Sequence, residues 1–513
     1  MNQPAKQLKI EEVSNKLERP LKEKIINTHS EELVIGLCGP IGTNMNFLTE
    51  RLVEILTEKF AYKCIVIKLS DLIKKHGDIT LNQGASEFER YQALIDGGNK
   101  LRNTYSSAVL AELAINEITV NREEEKSSSK SEEFKSQRVC FIIDSIKNKE
   151  EFELFKLIYR EIFYFIGVFS PMEIRVKNLK NKLMKEEEIY KLIDRDSGEE
   201  YEHGQMVTDT FVRSDFFLRI DDSSSSHIDV KILRFLNLLF EASIITPTIH
   251  ENAMYLATSA AGNSACLSRQ VGACITDSKG EVLSVGWNDV PKVDGGVYQS
   301  ALEQNTSDKR CMNIGVGECF NDKEKKIITK ELTDVLIDKG IIKEDDRLKT
   351  IEVIKKSRIK ELIEFSRAVH AEMLAIIFAS QKSGSMIIGG KLFCTTYPCH
   401  NCARHIIASG IKEVYYIEPY RKSLALKLHD DAITENENSN DNKVKILMYD
   451  GISPSRYLDF FKMDKNKRKK DGVKIKTHYK KIFPKNTLSL QAIPYLEQQV
   501  TKDLANKKLI IIE

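Results

Sequence analysis

One stretch, from Ala368 to Gly410, constrains the fold of this chain more than any other. It joins an H-x-E motif, His370 and Glu372, to a P-C-x-x-C motif that supplies Cys399 and Cys402 after a gap of 25 residues. One imidazole and two thiolates can form three corners of a tetrahedral zinc site and leave the fourth corner to water, as catalytic zinc requires. Glu372 lies close enough to His370 to move protons without binding the metal. The stretch therefore predicts a catalytic Zn²⁺ centre.

A structural zinc site is the alternative interpretation of these residues. Structural zinc usually has four protein ligands, and the nearest candidates for the fourth are His400 and His405. His400 lies inside the C-x-x-C itself, where a ligand role is awkward, and His405 would lie on the following helix. The complete motif, with Glu372 retained, favours catalysis.

The residues around the motif predict strands that alternate with helices. The apolar pattern and its turn signals predict a helix over 248–260, strands over 271–276 and 282–286, a helix over 373–380, a strand over 391–396, a helix over 399–409 and a strand over 413–417. Two of these helices would direct their N-termini, which carry partial positive charge, at the metal.

The first part of the chain carries a glycine-rich turn between a buried strand and a helix. This arrangement cradles phosphate in P-loop proteins, and the candidate cradle residues are Gly39, Gly42, Thr43 and Asn44. The pattern G-x-x-x-x-G-K-[ST] requires lysine and a hydroxyl where the chain has Met45 and Asn46. The turn thus lacks the lysine and the hydroxyl on which phosphoryl transfer depends. A plain strand–helix turn without a ligand is the alternative.

The remaining front segments predict a parallel sheet with helices on both faces. Strands are expected over 62–69, 139–144, 163–169 and 216–220, and Asp144 stands where a Walker B aspartate would lie. The hydrophilic segments 122–137 and 221–226 predict loops, the second of them a domain boundary, with a bridging helix over 228–242.

Length and composition bound the possibilities. A chain of 513 residues predicts two or three domains, and its 42% apolar content can fill real cores. The balance of 77 basic against 75 acidic residues disfavours a protein built to hold long nucleic acid. Ten scattered cysteines suit a reducing compartment. Without a signal core or a run of 18 apolar residues, we expect a cytoplasmic protein with no membrane partner.

From about residue 248 the chain resembles zinc deoxycytidylate deaminases, through S-R-Q-V-G-A, G-W-N, H-A-E-M and T-T-Y-P-C-H-N-C-A. With the front half included, residues 30–472 resemble the two-domain bacterial anti-phage dCTP/dCMP deaminases. The resemblance implies a P-loop kinase-like domain followed by a cytidine-deaminase-like α/β/α domain. It also implies deamination of free dCTP and dCMP that drains the dCTP pool, under control of a small RNA or a regulatory nucleotide. Two departures are Leu374, where single-domain relatives have Asn, and the absent P-loop lysine.

The chain divides into four predicted parts. We expect a flexible lead-in over 1–30, a degenerate P-loop kinase-like domain over 31–225, a zinc-dependent deaminase domain over 226–472 and a basic extension over 473–513. A polar insert over 289–362 predicts a lid or an oligomer contact, and we expect a homo-oligomer. Cys311 and Cys319 of this insert could bind a second metal, although no paired motif supports this.

Several residues are candidates for substrate contacts. Asn288, at a strand end, is expected to hydrogen-bond a sugar hydroxyl, or else to cap the turn. Tyr420 could stack on the base or sugar. Charge-assisted bonds to phosphate are expected from Arg269, Lys422 and Arg456, each of which could also be an ordinary surface cation.

Two other classes of function remain open at this stage. A polynucleotide deaminase acting on tRNA or single-stranded DNA would need a basic, aromatic-lined channel, and none is evident near the motif. A regulatory nucleotide-binding protein with a structural zinc site is disfavoured by Glu372. The run 462–481 carries ten Lys/Arg against two Asp and predicts a solvated tail or a patch that attracts RNA or phosphate.

Overall fold

The computed structural model describes residues 28–79, 84–128, 136–196, 207–221, 225–300, 308–420 and 423–511. Most of the predicted lead-in lies outside these ranges. The strands are β1 His29–Ser30, β2 Leu33–Cys38, β3 Lys63–Lys68, β4 Val139–Asp144, β5 Phe163–Phe169, β6 Phe216–Arg219, β7 Gly272–Thr276, β8 Val282–Trp287, β9 Lys391–Thr396, β10 Glu413–Glu418, β11 Ile433–Thr434, β12 Val444–Met448, β13 Gly451–Ile452, β14 Lys469–Lys470, β15 Val473–Lys474 and β16 Leu488–Ser489.

The helices alternate with these strands through both halves of the chain. They are α1 Met45–Phe60, α2 Leu69–His76, α3 Glu87–Thr104, α4 Val109–Ser128, α5 Lys149–Tyr159, α6 Met172–Lys180, α7 Glu186–Asp196, α8 Val207–Phe211, α9 Ser225–Leu239, α10 Ile249–Ala261, α11 Phe320–Asp338, α12 Arg347–Lys356, α13 Ala371–Ser383, α14 His400–Ala408, α15 Ala425–Leu428, α16 Tyr457–Phe461, α17 Lys465–Arg468 and α18 Ile493–Asn506. No helix of the described ranges is long and apolar enough to cross a bilayer.

The front domain is built on a sheet in the order β13-β6-β5-β2-β4-β3. Its strands β6, β5, β2, β4 and β3 are parallel, and β13 pairs antiparallel with β6 at the edge. Successive residues of β2 enter opposite cores, Leu33 and Ile35 on one face and Val34 on the other. Both faces are therefore covered, as parallel sheets require. The predicted α/β fold is confirmed at this level, whereas the kinase-like character of the domain stays a prediction.

Two segments assigned by sequence to the second half pack on the front domain. The predicted bridging helix, α9, buries Ile232, Phe235 and Leu239 in the core beneath β2 and β5. The apolar face of α9 therefore packs in the front core, and the boundary expected over 221–226 stays a prediction. The expected basic extension also returns, since β16 pairs with β1.

A buried ionic network fixes α18 to the front domain. Arg122 of α4 donates to Glu497 of α18 at 3.0 Å and to Glu32 at 2.6 Å, and the Tyr159 hydroxyl donates to Glu497 at 2.9 Å. This anchoring also explains why the loop predicted over 122–137 is wrong at its start. Helix α4 continues to Ser128 because Arg122 points inward to buried partners instead of into solvent.

The second domain has three layers. Its sheet follows the order β11-β12-β10-β9-β7-β8, with β7 antiparallel to both β8 and β9 and the remaining pairs parallel. Helix α10 covers one face, in a core continuous with that of the front domain. Helices α13 and α14 cover the other face. The strand predicted over 391–396 is confirmed residue for residue.

A glycine in β8 allows α13 to lie directly on this sheet. A Cβ added to Gly286 would stand 2.4 Å from the carbonyl oxygen of Ala371 and 2.5 Å from the nitrogen of Ala375. These are backbone atoms, so a side chain at this position can be accommodated only by moving the helix. Because His370 and Glu372 lie at the start of α13, Gly286 sets their position.

We expect Gly286→Ala to destabilise the protein by about 1–3 kcal/mol, the usual cost of overpacking a core, and to lower the zinc content. Gly262→Ala is the matched control, because its Cβ would meet nothing nearer than 3.3 Å and Gly262 already has helical backbone angles. Urea unfolding and metal analysis test both variants. Equal behaviour of the two variants would contradict the close-packing argument.

Candidate metal centre

Three potential metal ligands converge between α13 and α14. His370 Nδ1 lies 3.3 Å from Cys399 Sγ and 3.3 Å from Cys402 Sγ. One ligand atom of each residue lies within 4.8 Å of the others. Among the described residues, no other set of three or more His, Cys, Asp or Glu meets this condition.

The separation of these atoms fits a shared zinc ion. Zinc–sulfur and zinc–nitrogen bonds of about 2.3 and 2.0–2.1 Å, at a tetrahedral angle, place ligand atoms about 3.6 Å apart. The alternative fourth ligands are occupied elsewhere. His405 Nδ1 lies 2.7 Å from the carbonyl oxygen of Asn401, and His400 Nε2 lies 3.5 Å from a carboxylate oxygen of Glu364. The donor set is therefore that of a three-ligand zinc site.

Helix starts supply the local geometry and the electrostatics. His370 is the N-cap of α13, Cys399 is the N-cap of α14, and Cys402 lies in the first turn of α14. Partial positive charge at helix N-termini favours thiolates. A hydrogen bond from the Cys402 thiol, followed by one from His370, lowers the pKa of Cys399 to about 4.

Glu372 lies in the first turn of α13 beside this group. It is 4% exposed, and it lines the same cavity as His370 and Cys399. Burial is the main cause that raises the pKa of the Glu372 carboxyl, and the charge of His370 opposes this rise. A buried carboxyl next to the metal ligands has the position that proton transfer requires.

The cavity has a volume of about 330 Å³ and also contains three of the predicted substrate contacts, Asn288, Arg269 and Tyr420. Arg269 pairs with Glu418 at 3.3 Å, and its guanidinium lies 5.7 Å from the Tyr420 ring centroid. The Arg269 side chain remains 47% exposed, so it is available at the cavity mouth. The fourth prediction, Lys422, lies outside the described residues.

Asn288 has both of its amide groups engaged by the backbone. Its Oδ1 accepts from Val271 N at 2.8 Å, and its Nδ2 donates to the carbonyl oxygen of Arg269 at 2.9 Å. The side chain thus holds the segment before β7 against the end of β8. This corresponds to the turn-capping alternative, although Asn288 still borders the cavity.

The expectation that Arg456 contacts substrate is corrected by its position. Arg456 lies under the front sheet, where it pairs with Asp215 at 3.3 Å and with Asp459 at 3.1 Å. Its guanidinium also stacks over Tyr164 and Phe460. The short strand β13, just before it in sequence, pairs with β6 and carries the segment away from the metal centre.

The insert brings five residues to this cavity that the sequence did not single out: Asn321, Asp322, Lys325 of α11, Lys360 and Glu361. Lys325 Nζ donates to the Lys360 carbonyl oxygen at 3.0 Å and lies 3.9 Å from Asp322 Oδ1, and the Lys325 side chain is 18% exposed. The length of the insert is the sequence feature that indicated a lid or an oligomer contact. Which of its many lysines faces the metal depends on how α11 folds back, and spacing alone does not reveal that.

The two cysteines predicted as possible ligands of a second metal lie at a separate small cavity. Cys311 and Cys319 line it together with Cys266, and Cys319 Sγ lies 3.6 Å from the Ser268 hydroxyl. Within the described residues these cysteines do not form a compact group of three ligands. A second metal there has no support from this geometry.

The front-domain candidates Gly39, Gly42, Thr43 and Asn44 lie together on a different and larger cavity of about 790 Å³. Asn44 is the N-cap of α1, and its Oδ1 accepts from Phe47 N at 3.3 Å. Gly42 has a φ of +88°, a conformation that glycine adopts without strain.

Comparison with known proteins identifies the second domain. Residues 247–418 match the cytidine and deoxycytidylate deaminase zinc-binding region. The deoxycytidylate deaminase of Enterobacteria phage T4 is 30% identical over 164 residues, which are 31% of this chain and 72% of that protein. The phage T2 enzyme is 31% identical over 166 residues, 31% of this chain and 74% of that protein.

Among solved structures, the dCMP deaminase of cyanophage S-TIM5 in complex with dCMP and dUMP aligns with 40% of this chain and 99% of its own, at 20% identity and a TM-score of 0.23. The zinc-binding family match, together with the His370, Cys399 and Cys402 group, confirms Zn²⁺ as the cofactor. This chain belongs to the deoxycytidylate deaminase family.

Proposed function

We propose that this protein hydrolytically deaminates free deoxycytidine nucleotides, converting dCTP to dUTP and dCMP to dUMP. The observation that carries the proposal is the composition of one cavity. This cavity is lined by metal ligands and a buried carboxyl, Glu372, together with the cations Arg269 and Lys325. A nucleotide could place its base at the metal ligands and Glu372 and its phosphates at the cations.

In this proposal His370, Cys399 and Cys402 hold the metal and Glu372 moves the protons. A zinc ion held by these residues would acidify a water molecule, which would be the nucleophile for C4 of cytosine. Glu372 takes one proton from the water and delivers it to N3 while the water oxygen bonds to C4. It then moves the remaining hydroxyl proton to the amino group, and the C4–N bond breaks to release ammonia and leave a carbonyl at C4. The buried position of Glu372 keeps bulk water from competing for those protons.

The phosphates are assigned to the cations at the cavity walls. Charge-assisted hydrogen bonds from Lys and Arg to phosphate oxygens are stronger than hydrogen bonds between neutral groups. Arg269 comes from the segment before β7 and Lys325 from the insert, so the substrate would bridge the sheet and the insert. Tyr420, beside Arg269, is assigned to the base or the sugar.

The proposed biological role is to lower dCTP during phage replication. Its support is the resemblance of residues 30–472 to two-domain anti-phage deaminases, and the presence of a second, front domain on the same chain. We extend the proposal to control of the deaminase by a regulatory nucleotide or a small RNA.

Glu372→Ala should keep its zinc and lose deamination of dCMP by at least about 100-fold, because general acid–base catalysis contributes 10²–10⁴. Cys399→Ala should lose the metal together with the activity. Ammonia release and metal analysis measure the two effects separately. Near-normal turnover by Glu372→Ala would refute the assigned mechanism.

Lys325→Ala and Arg269→Ala should raise KM for dCTP and dCMP by about ten-fold or more, since a hydrogen bond to a charged group contributes about 1.5–3 kcal/mol. The slow reaction of deoxycytidine should change little. Lys326→Ala is the control, because the neighbouring lysine on the same helix is 64% exposed and pairs with Glu318. Equal losses on nucleoside and nucleotide would assign these residues to the fold instead.

The front domain should show no kinase or ATPase activity in the intact protein, because Met45 and Asn46 replace the catalytic lysine and the Mg²⁺-binding hydroxyl. Release of labelled phosphate from [γ-³²P]ATP with Mg²⁺ measures this directly. Transfer above that of a heat-denatured sample would overturn the expectation.

A further inference from the structure

The front domain has its own large cavity, independent of the deaminase centre. Its volume is about 790 Å³, within the usual size of small-molecule sites. The glycine-rich turn, residues 39–46, forms one wall, and Lys68, Asp144 and Lys182 contribute to the others. It lies beyond the carboxyl ends of the parallel strands β2, β3 and β4, where open α/β sheets bind ligands.

Most charges around this cavity are already paired. Lys74 pairs with Asp71 at 2.9 Å, Arg90 with Glu87 at 3.0 Å and Lys147 with Asp196 at 2.5 Å. Two ammonium groups instead contact neutral oxygens. Lys68 Nζ donates to Asn46 Oδ1 at 3.1 Å, and Lys182 Nζ donates to the Tyr91 hydroxyl at 2.7 Å. Lys68 also interacts electrostatically with the Asp144 carboxyl of the same cavity, and neither ammonium group has an ion pair among the described residues that would prevent it from contacting a bound anion.

The position of Lys68 compensates for the missing P-loop lysine. Lys68 ends β3, and in the sheet register it lies opposite Asp144 of β4. Its ammonium reaches Asn46, the residue next to Met45, where the motif requires lysine. A neighbouring strand thus supplies, through space, the charge that the turn lacks in sequence.

Side chains from outside the turn hydrogen-bond to its backbone, and one polar group of the turn has no partner in the described part of the chain. Arg175 Nε donates to the Ile41 carbonyl oxygen at 2.7 Å and Asn178 Nδ2 to that of Gly42 at 2.9 Å. Asp196 Oδ2 accepts from Ile41 N at 2.6 Å, which fills that end of the turn. At the other end the Thr43 hydroxyl oxygen is buried without a hydrogen-bond partner among the described residues. An anion would therefore lie on the Lys68 side.

We propose that this cavity binds a nucleoside polyphosphate, with Lys68 and Lys182 on its phosphates, and does not transfer a phosphoryl group. Since Asn46 replaces the Mg²⁺-binding hydroxyl and a lysine supplies the charge, binding requires no Mg²⁺. The site differs from the deaminase cavity in its residues and in its ligand, and it stands whether or not the deaminase assignment holds.

ATP titrated calorimetrically into the full-length zinc-loaded protein, without Mg²⁺, tests the proposal. The Glu372→Ala background prevents turnover, so that excess dCMP can be added to fill the deaminase cavity. ATP should still bind, and inorganic tripolyphosphate should displace it. Lys68→Ala and Lys182→Ala should each weaken binding at least tenfold, and Lys68→Arg should recover part of the loss.

Lys74→Ala is the matched control, because this lysine lines the same cavity but is already paired with Asp71. It should change ATP affinity less than twofold. Thermal unfolding without ATP checks that each variant is folded, and the exposed Lys182 provides a test even if Lys68→Ala is unstable. No ATP binding, displacement of ATP by dCMP, or an equal loss in Lys74→Ala would overturn the proposal.

Discussion

The contact between Gly286 and the first turns of α13 is the constraint on which the metal centre depends. Three ligands and a carboxyl converge only if two helices begin at the same edge of the second sheet. Helix α13 reaches that edge because β8 offers bare backbone where any side chain would stand 2.4 Å from a carbonyl oxygen. The chemistry of His370 and Glu372 is thus set by a residue that carries no chemistry itself.

The platform beneath this centre belongs to both domains. Helix α10 packs under the second sheet in a core that continues into the front sheet. Glu251 of α10 accepts from Arg234 of α9, and its other oxygen accepts from Ile452 N of β13. Because both sheets are in contact with α10, a displacement of one sheet would shift contacts of the other.

The sequence predicted what depends on local spacing. The ligands, Glu372 and strand β9 follow from short motifs and alternating apolar residues, which act over a few positions. Arg456 could not be placed, because its partner Asp215 is 241 residues earlier and only the pairing of β13 with β6 brings them together. The position of Lys325 depends on how a long insert folds back, and the amphipathic pattern of α9 does not by itself say which sheet the helix covers.

The pairing of β1 with β16 has a consequence for synthesis in the cell. The Thr28 and Ser489 hydroxyls lie 3.0 Å apart although the two residues are separated by 461 positions in sequence. Non-local contacts of this kind are slow to form. At ribosomal rates of 5–20 residues per second, roughly 10–50 s separate the emergence of α9 from that of β16. For most of that interval the front sheet lacks β13 and the helix α18 that covers Arg122, so a nascent chain would leave Arg122 without its partner Glu497.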